Sequence, residues 1–462
     1  MYSPPSMKWT RNTPNTSTNI PFYRPPPVVL PPDIREESRP AEKVRMTLPA
    51  EGSEEYQEVL ASLRLSDKIH IMGFTREARY ITYCLAGTPE LPPAQLLAQH
   101  PNILTKWGRE GRQLTVYTPK GPMPSRDVIM PKYIGPPRGT SRNATEFTRL
   151  QHISNLLIST FDGSIYTTLL HMRDYIDQDT TICLLNEGLG VVEHLNEGIF
   201  TDPDTRPNYV LGHVDYMLAT KRQIGDFSMD LKAPGKMYLT ALPRESPGES
   251  LVSTRPRVVG RARAQHLIKL LCQTPGLDAG GFPMSLFLRQ KLPSMVFSSL
   301  TDAISVALGC QYDRISTSPY AVGLWHDLLD ETVTVIASLP EFKEHPDALE
   351  YFTGRRFKDD LFAKLRNKRG ASTWIARVRT GMQLPMPYLN GWFVKKAKEN
   401  GVPHSAHNTL MSMVRTRHEA RMEELKGQIP MYVYKTDGDL TNPDEDGQNM
   451  VPIRYVYITK NK

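Results

Sequence analysis

The chain of 462 residues has few cysteines, no long apolar run and no acidic residue in its first 32 positions. The four cysteines, Cys84, Cys183, Cys272 and Cys310, form no CxxC pair and lie beside no histidine at zinc-ligand spacing. This spacing indicates buried free thiols in a reducing compartment and argues against a disulfide framework or a metal site. No stretch reaches the ~20 apolar residues of a membrane-spanning helix, so we expect no membrane span. The sequence also has no Walker loop, no GxSxG and no solenoid-length repeat.

The N-terminal segment, residues 1–53, is rich in proline and hydroxyl residues, and its basic residues begin with Lys8, Arg11 and Arg24. An acid-poor, basic, hydroxyl-rich start is typical of organelle transit segments, so we expect a protein of the mitochondrial matrix. Because the proline clusters disfavour an amphipathic helix, the alternative is an extended, disordered tail. The formal charge of +7 is compatible with a polyanionic partner or peripheral association with the inner membrane. It is equally compatible with the ordinary basicity of a matrix protein.

Residues 54–242 show the alternation of short strands and helices that is typical of a nucleotide-binding α/β fold with a mostly parallel sheet. An apolar strand runs into Gly73, and a helical pattern follows it. The dinucleotide fingerprint G-x-G-x-x-G/A falls on Gly73, Thr75 and Ala78. Its middle glycine lets a pyrophosphate approach the backbone, and Thr75 places a side chain there. For each glycine the alternative role is turn geometry alone.

Further strands are predicted at 113–118, 155–160 and 181–185. The last of these runs into Gly188, which either contacts a nucleotide or serves a turn. A linker at 243–256, rich in Pro, Gly and Ser, precedes a helical domain over 257–428. The final 34 residues, 429–462, are predicted to form a β-hairpin around an acidic loop.

A long helix is predicted near the start of this helical domain. It carries Lys291, with Met295 and Ser299 four and eight residues further on, so that all three share one face. A lysine in a cleft can donate a proton to a carbonyl that is being reduced. The alternative is that Lys291 is a solvated surface lysine.

The segment 371–391 resembles the C-terminal signature of ketopantoate reductases (2-dehydropantoate 2-reductases). Thr373 holds the hydroxyl position of that signature, and Asn390-Gly391 close it. The strand ending at Gly188 and the helix bearing Lys291 also resemble segments of that family. The resemblance extends over about residues 66 to 415. It implies a Rossmann-like domain followed by an all-α domain of the 6-phosphogluconate-dehydrogenase C-terminal type.

The resemblance also implies roles for individual residues. Lys291 and Thr373 take the catalytic positions. Lys120, just after the strand at 113–118, takes the basic position that meets the 2′-phosphate of NADPH. The cofactor-binding positions as a set are Gly73, Thr75, Ala78, Lys120 and Gly188.

Several other family positions hold different residues in this chain. The Glu of the family falls on Pro385, which can neither ionise nor donate a hydrogen bond. Its Asp falls on Arg377, and its two Asn fall on Met295 and Ser299. The lysine that follows the third strand falls near Phe161, and Glu187 replaces an Asn.

These differences favour the hypothesis that the protein is a pseudoenzyme, catalytically inactive and without a cofactor. The chain is similar in this respect to fungal mitochondrial translation activators for cytochrome b mRNA, so the leading hypothesis is a factor that contacts mRNA or the mitochondrial ribosome. The alternatives are an active NADPH-dependent reductase of a 2-oxo acid and a scaffold that senses nucleotide without turnover. The sequence names no RNA and no oligomeric state.

One basic, aromatic-rich stretch is the candidate RNA-binding surface. Its cations are Arg355, Arg356, Lys358, Lys364, Arg366, Lys368 and Arg369. The alternative is an amphipathic helix that turns Phe357, Leu361 and Leu365 towards the core and its charges towards water.

Overall fold

Among the described residues, strands and helices are mixed up to Gly281, and helices alone follow. The computed structural model describes residues 61–99, 101–134, 152–220, 225–244, 254–343 and 345–428. The strands are β1 (Ile69–Met72), β2 (Gln95–Ala98), β3 (Gln113–Thr118), β4 (Gly121–Pro122), β5 (Arg126–Asp127), β6 (Lys132–Tyr133), β7 (Asn155–Ile158), β8 (Thr181–Leu184), β9 (Asn208–Val214), β10 (Met217–Thr220), β11 (Ser228–Ala233), β12 (Met237–Ala241) and β13 (Ala279–Gly281). The helices are α1 (Arg76–Ala86), α2 (Pro101–Arg109), α3 (Asp162–Met172), α4 (Val191–Gly198), α5 (Thr254–Cys272), α6 (Met284–Leu308), α7 (Tyr312–Thr317), α8 (Pro319–Ala337), α9 (Pro346–Thr353), α10 (Arg355–Asn367), α11 (Thr373–Arg379), α12 (Asn390–Asn400) and α13 (Ser405–Gln428). Single 3₁₀ turns lie at Arg173–Tyr175, Pro340–Phe342 and Met386–Tyr388.

The main sheet has eight strands in the order β13-β12-β9-β8-β7-β1-β2-β6. Its central strands β1, β7 and β8 pair in parallel and are buried along their whole length. Parallel strands that are buried along their whole length need helices on both faces of the sheet. The expectation of a Rossmann-like sheet followed by helices is confirmed.

The strand predicted at 113–118 forms, but it does not lie in the main sheet. The second parallel strand is β2, which pairs with β1, whereas β3 pairs with β11 in a separate five-stranded sheet. The placement of Lys120 after the second parallel strand is therefore wrong, and this residue is exposed in the turn between β3 and β4. The sequence did not predict β2, because its Gln-Leu-Leu-Ala segment is short, lacks β-branched residues and follows two prolines.

The sheet extends beyond the expected linker at 243–256. Helix α5 packs against β9 and β13, and β13 pairs in parallel with β12 to form the edge of the sheet. The sheet-bearing part therefore reaches Gly281, and the all-helical part begins with α6. Because β13 is only three residues long and glycine-rich, no strand pattern marks it.

Helix α6 is the central helix of the helical part. It packs against α8, α11 and α13, and its inner face belongs to a large apolar cluster that includes Leu300, Trp325 and Phe393. Gly309, at a φ of 66°, ends the helix in the left-handed conformation. None of the described helices is long and apolar enough to cross a bilayer.

Two expectations lie outside the described residues: the tail at 1–53 and the hairpin within 429–462. The four cysteines are free thiols, as expected. Cys84 and Cys183 are buried, whereas Cys272 is exposed, which corrects the expectation of burial for that thiol.

Candidate functional site

A cleft runs along the carboxyl ends of β1, β2, β7 and β8, the edge at which parallel α/β sheets bind ligands. One part, of about 340 Å³, lies between the ends of β1, β2 and β7 and includes Leu97 and Gln99 in its lining. The other part, of about 580 Å³, reaches Lys291 on α6. The residues common to both parts are Phe74, Thr75, Ser159, Thr160 and Phe161. The cleft therefore connects the sheet to the helical part.

Two of the three fingerprint residues, Gly73 and Thr75, line this cleft, whereas Ala78 is fully buried and lines neither part. Gly73 has a φ of 107°, and a Cβ there would lie 2.1 Å from the carbonyl oxygen of Ser159. Only glycine fits this turn. Thr75 is the N-cap of α1, and its Oγ1 accepts a hydrogen bond from the amide of Ala78 at 3.1 Å. The threonine side chain thus stands at the helix N-terminus, where the fingerprint ordinarily leaves room for a phosphate.

The end of β7 contributes two hydroxyl groups that the sequence analysis did not single out. The Oγ of Ser159 lies 2.5 Å from the Oγ1 of Thr75. The Oγ1 of Thr160 is buried and has no hydrogen-bond partner among the described residues. A buried hydroxyl without a partner is costly, and a bound ligand with a polar group would satisfy it. In the sequence, Ser159 and Thr160 are marked only by their position directly after a buried parallel strand.

Lys291 forms the opposite wall of the cleft and is only 2% exposed, so the alternative of a solvated surface lysine is wrong. Its Nζ donates a hydrogen bond to the backbone carbonyl of Asn186, which follows β8. Met295 and Ser299 lie on the same helix and are buried, as the four-residue spacing predicts. Of these two, Met295 lines the cleft, whereas the Oγ of Ser299 donates to the carbonyl of Val296 within the helix.

The imidazole of His213, on β9, also lines this part of the cleft. Burial, and then the charges of Lys291 and Lys364, lower the pKa of His213 to about 3. The ring is therefore neutral at pH 7 and cannot act there as a cationic acid. Two carboxylates, those of Glu77 and Glu187, also line this part of the cleft, as do the guanidinium groups of Arg76 and Arg79 on α1.

Another cation reaches the cleft from α11. The Cζ of Arg377 lies 3.3 Å from the centroid of the Phe161 ring, and both residues line the part of the cleft that contains Lys291. A guanidinium group stacked on an aromatic face is held in one plane by cation–π attraction. The helical part thus supplies positive charge at the position where the resemblance implies an acid.

The remaining signature residues lie outside the cleft lining. Thr373, the proposed catalytic hydroxyl, is exposed at the first position of α11 and is not brought together with Lys291. The preceding Ser372 is buried instead, and its Oγ donates to Asp302 at 2.6 Å. Pro385 is buried before the Met386–Tyr388 turn.

The Asn-Gly pair that closes the signature has a packing role. Asn390 is fully buried, and its Nδ2 donates to the carbonyl of Ser299 at 2.7 Å. Its side chain also lies 3.3 Å from His407, whose Nε2 is 2.8 Å from the hydroxyl of Thr332. These bonds join α12, α6, α13 and α8.

Gly188 contacts the helical part closely. A Cβ there would lie 2.3 Å from the carbonyl oxygen of Tyr388, and the next amide, of Leu189, donates to that oxygen at 2.8 Å. Gly188 does not line the cleft, so the geometry assigns it close packing. Gly190 has a φ of 84° and is the N-cap of α4.

The candidate RNA-binding stretch forms α10 and the turn after it. Phe357, Leu361 and Leu365 are buried, which confirms the amphipathic-helix alternative. Arg355 Nε lies 3.3 Å from a carboxylate oxygen of Asp359, one turn along. Arg356 pairs with Asp360, and Lys358 pairs with Asp330. The ammonium groups of Lys364 and Lys368 lie over the ring of Phe297. Arg369 donates to the carbonyl of Arg366.

Residues 287–418 match the family model described as the C terminal of ketopantoate reductase PanE/ApbA. A probable 2-dehydropantoate 2-reductase of Schizosaccharomyces pombe is 18% identical over 282 residues, 58% of this chain and 75% of that protein. The 2-dehydropantoate 2-reductase of Saccharomyces cerevisiae is 24% identical over 268 residues, 53% of this chain and 68% of that protein.

Solved structures show the same fold. A probable 2-dehydropantoate 2-reductase from Bacillus subtilis has a TM-score of 0.50 at 13% identity, over 76% of this chain and 99% of its own. The ternary structure of D-mandelate dehydrogenase with NADH and anilino(oxo)acetate has a TM-score of 0.51 at 13% identity, over 77% of this chain and 99% of its own.

Proposed function

Because residues 287–418 are a ketopantoate reductase C-terminal domain on a chain with the fold of those enzymes, we propose that the protein is a dinucleotide-dependent reductase of a small 2-oxo acid, of the 2-dehydropantoate 2-reductase type. Burial of Lys291 in the cleft wall is the observation that carries this proposal. A buried ammonium group is expensive and persists where it is hydrogen-bonded and used.

The residues at the carboxyl edge fit a dinucleotide. Thr160, whose Oγ1 has no hydrogen-bond partner among the described residues, and Gly73 line the same part of the cleft, next to the N-terminus of α1. Gly73, Thr75, Ser159 and Thr160 would hold the cofactor there. When bound, NADPH supplies a hydride. Gln99 lies at the end of β2 and lines the cleft. In dinucleotide-binding folds an acid near this position binds the ribose 2′-hydroxyl of NADH, and Gln99 is not an acid.

Lys291 would supply the proton in this proposal. An ammonium group has three N–H donors, and the bond to the carbonyl of Asn186 fixes its position at the cleft wall. A lysine held in this way protonates the oxygen of a carbonyl as that carbonyl becomes an alcohol. Because His213 is neutral, we assign the role of proton donor to Lys291.

A second candidate is a scaffold that binds nucleotide without turnover, one of the alternatives that the sequence left open. Its support is Pro385, which brings no carboxylate to the signature. Contact with mRNA or the mitochondrial ribosome and a location in the matrix stay predictions. Recovery of neither RNA nor ribosomal protein with the tagged chain would reject that role.

The test is a titration of the purified full chain with NADPH, and separately with NADH, followed by an assay with 2-dehydropantoate. Binding with turnover supports the reductase. Binding without turnover of this or any other 2-oxo acid favours the second candidate. Absence of binding by both nucleotides contradicts both proposals.

A further inference from the structure

Arg79 is a buried arginine in the lining of the cleft. It lies on α1, one turn after the N-cap Thr75, and is only 5% exposed. Because helical side chains lean towards the N-terminus of their helix, its guanidinium group lies beside the first turn of α1. The Nε donates to the carbonyl oxygen of Thr75 at 3.3 Å, and Nη1 donates to the carbonyl oxygen of Asp226. These two bonds fix the group between α1 and the segment that leads into β11.

The same guanidinium group has donors that these two bonds do not use. An arginine carries five N–H donors, and those of Nη2 have no acceptor among the described residues. Two acids near it are engaged elsewhere, since Asp226 pairs with Lys106 and the carboxylate of Glu110 accepts from backbone amides just before β11. Burial lowers the pKa of Arg79. A buried charge with unused donors is costly, so we expect an anion to bind it.

Other groups at this end of α1 also favour an anion. Arg76 is exposed at the first position of the helix and lines the same part of the cleft, where its Nη1 donates to the carbonyl of Leu218 at 2.7 Å. The helix N-terminus adds a partial positive charge. Thr160, whose buried Oγ1 has no partner among the described residues, lines this part as well. Glu77 is the acid of this turn, and the two arginines outweigh its charge.

We propose that Arg79 binds the pyrophosphate group of a dinucleotide, with Arg76 beside it. This inference rests on nucleotide binding, which both candidate functions above share. The dinucleotide fingerprint ordinarily has a glycine at the position of Thr75, so that the phosphates approach the backbone closely. A guanidinium group binds phosphate through its own planar edge and does not need that approach. In this chain, recognition of the phosphates has passed from the backbone to a side chain, and Thr75 does not exclude a dinucleotide.

Calorimetric titration of the full chain with NADPH, and separately with inorganic pyrophosphate, tests this site. Arg79→Met removes the charge and keeps a flexible apolar side chain. It should weaken both ligands about 10- to 100-fold, the usual effect of removing a charge-assisted hydrogen-bond donor. Arg79→Lys should recover part of the affinity, because charge is kept and the planar fork is lost. Arg109→Met, at an exposed arginine of α2 that lines neither part of the cleft, should bind both ligands as the wild type does.

The salt dependence of NADPH affinity separates phosphate recognition from a disturbed pocket. Loss of a phosphate contact should make the fall in affinity between about 50 and about 500 mM salt shallower in Arg79→Met than in the wild type. A variant that loses affinity but keeps the salt dependence of the wild type overturns the proposal, as does equal NADPH affinity in the two proteins. If Arg79→Met fails to fold, judged by thermal denaturation, Arg79→Lys carries the test, and unchanged affinity for both ligands rejects the site.

The same titrations separate this inference from the reductase proposal. NADPH binding that depends on Arg79, without turnover of any 2-oxo acid, keeps the site and rejects the reductase. Turnover with equal NADPH affinity in the wild type and Arg79→Met keeps the reductase and rejects the site. A wild-type chain that binds neither NADPH nor NADH overturns the inference, whether or not it binds inorganic pyrophosphate.

Discussion

The Nζ of Lys291 donates a hydrogen bond to the backbone carbonyl of Asn186, which joins helix α6 to the end of strand β8. The bond crosses from the helical part to the sheet at the cleft. It fixes the ammonium group where a ligand at the carboxyl edge of the sheet would meet it. The resemblance implies asparagines at the positions of Met295 and Ser299 on the same helix, and neither of these residues has an amide side chain.

Gly73→Ala should lower the free energy of unfolding by about 2 kcal/mol or more, because an alanine at positive φ is strained and its Cβ meets the carbonyl of Ser159. Urea denaturation measures the change. Gly108→Ala is the matched control, since a Cβ in that helix meets nothing within 4 Å. We expect it to be neutral or to stabilise by about 0.5–1 kcal/mol. Equal effects of the two substitutions would contradict the assigned role of Gly73.

Acid should destabilise the protein through its buried histidines. Burial lowers the pKa of His407 and of His70 to about 4, and that of His213 to about 3. Between pH 6.5 and these values the unfolded chain binds protons that the folded chain does not, so stability is present above pH 6.5 and is lost as the pH falls. Between pH 7.5 and 5.5, each of these three histidines should lower the free energy of unfolding by about 1 kcal/mol.

Urea denaturation at the two pH values checks this prediction with His407→Gln. The substitution should lower stability at both pH values, because it disturbs the contacts with Thr332 and Asn390. It should also reduce the loss between pH 7.5 and 5.5. His171→Gln, at an exposed histidine, should leave that loss unchanged. A wild-type stability that is constant over this range would reject the assignment.

Helix α10 should depend on its apolar face. Phe357→Ala removes a fully buried ring and should cost about 3–5 kcal/mol. The double variant Arg355→Gln/Arg356→Gln removes two exposed pairs with Asp359 and Asp360 and should change stability by less than about 1 kcal/mol. Thermal and urea denaturation compare the two. A larger cost for the double variant would show that the charges stabilise this helix more than its core contacts do.

Much of the fold follows from short patterns. The apolar run into Gly73, the helix after it and the helix bearing Lys291 are local features, and each lies where its pattern predicts it. Strands β2 and β13 escaped prediction because their pairing is decided by neighbours distant in sequence. Lys120 was misplaced for the same reason.

The site was harder to predict because it depends on which surfaces meet. The sequence shows a lysine on a helix face, but its burial depends on the packing of that helix against the sheet, where the carbonyl of Asn186 accepts its hydrogen bond. Thr160 is marked in the sequence only by its position after a buried strand. The contact of Arg377 with Phe161 has no local signature, since the two residues lie 216 positions apart. Thr373 was selected by its place in a signature, whereas the fold buries its neighbour Ser372.

The proton-donor role of Lys291 is tested most directly by single-turnover oxidation of bound NADPH with 2-dehydropantoate, comparing the wild type, Lys291→Met and the exposed-site control Lys398→Met. The reductase proposal predicts that Lys291→Met slows the step about 10²- to 10⁴-fold, with NADPH affinity retained and the Lys398→Met rate unchanged. A Lys291→Met chain that reacts as fast as the wild type, or a wild type that binds NADPH and never oxidises it, would contradict the proposal.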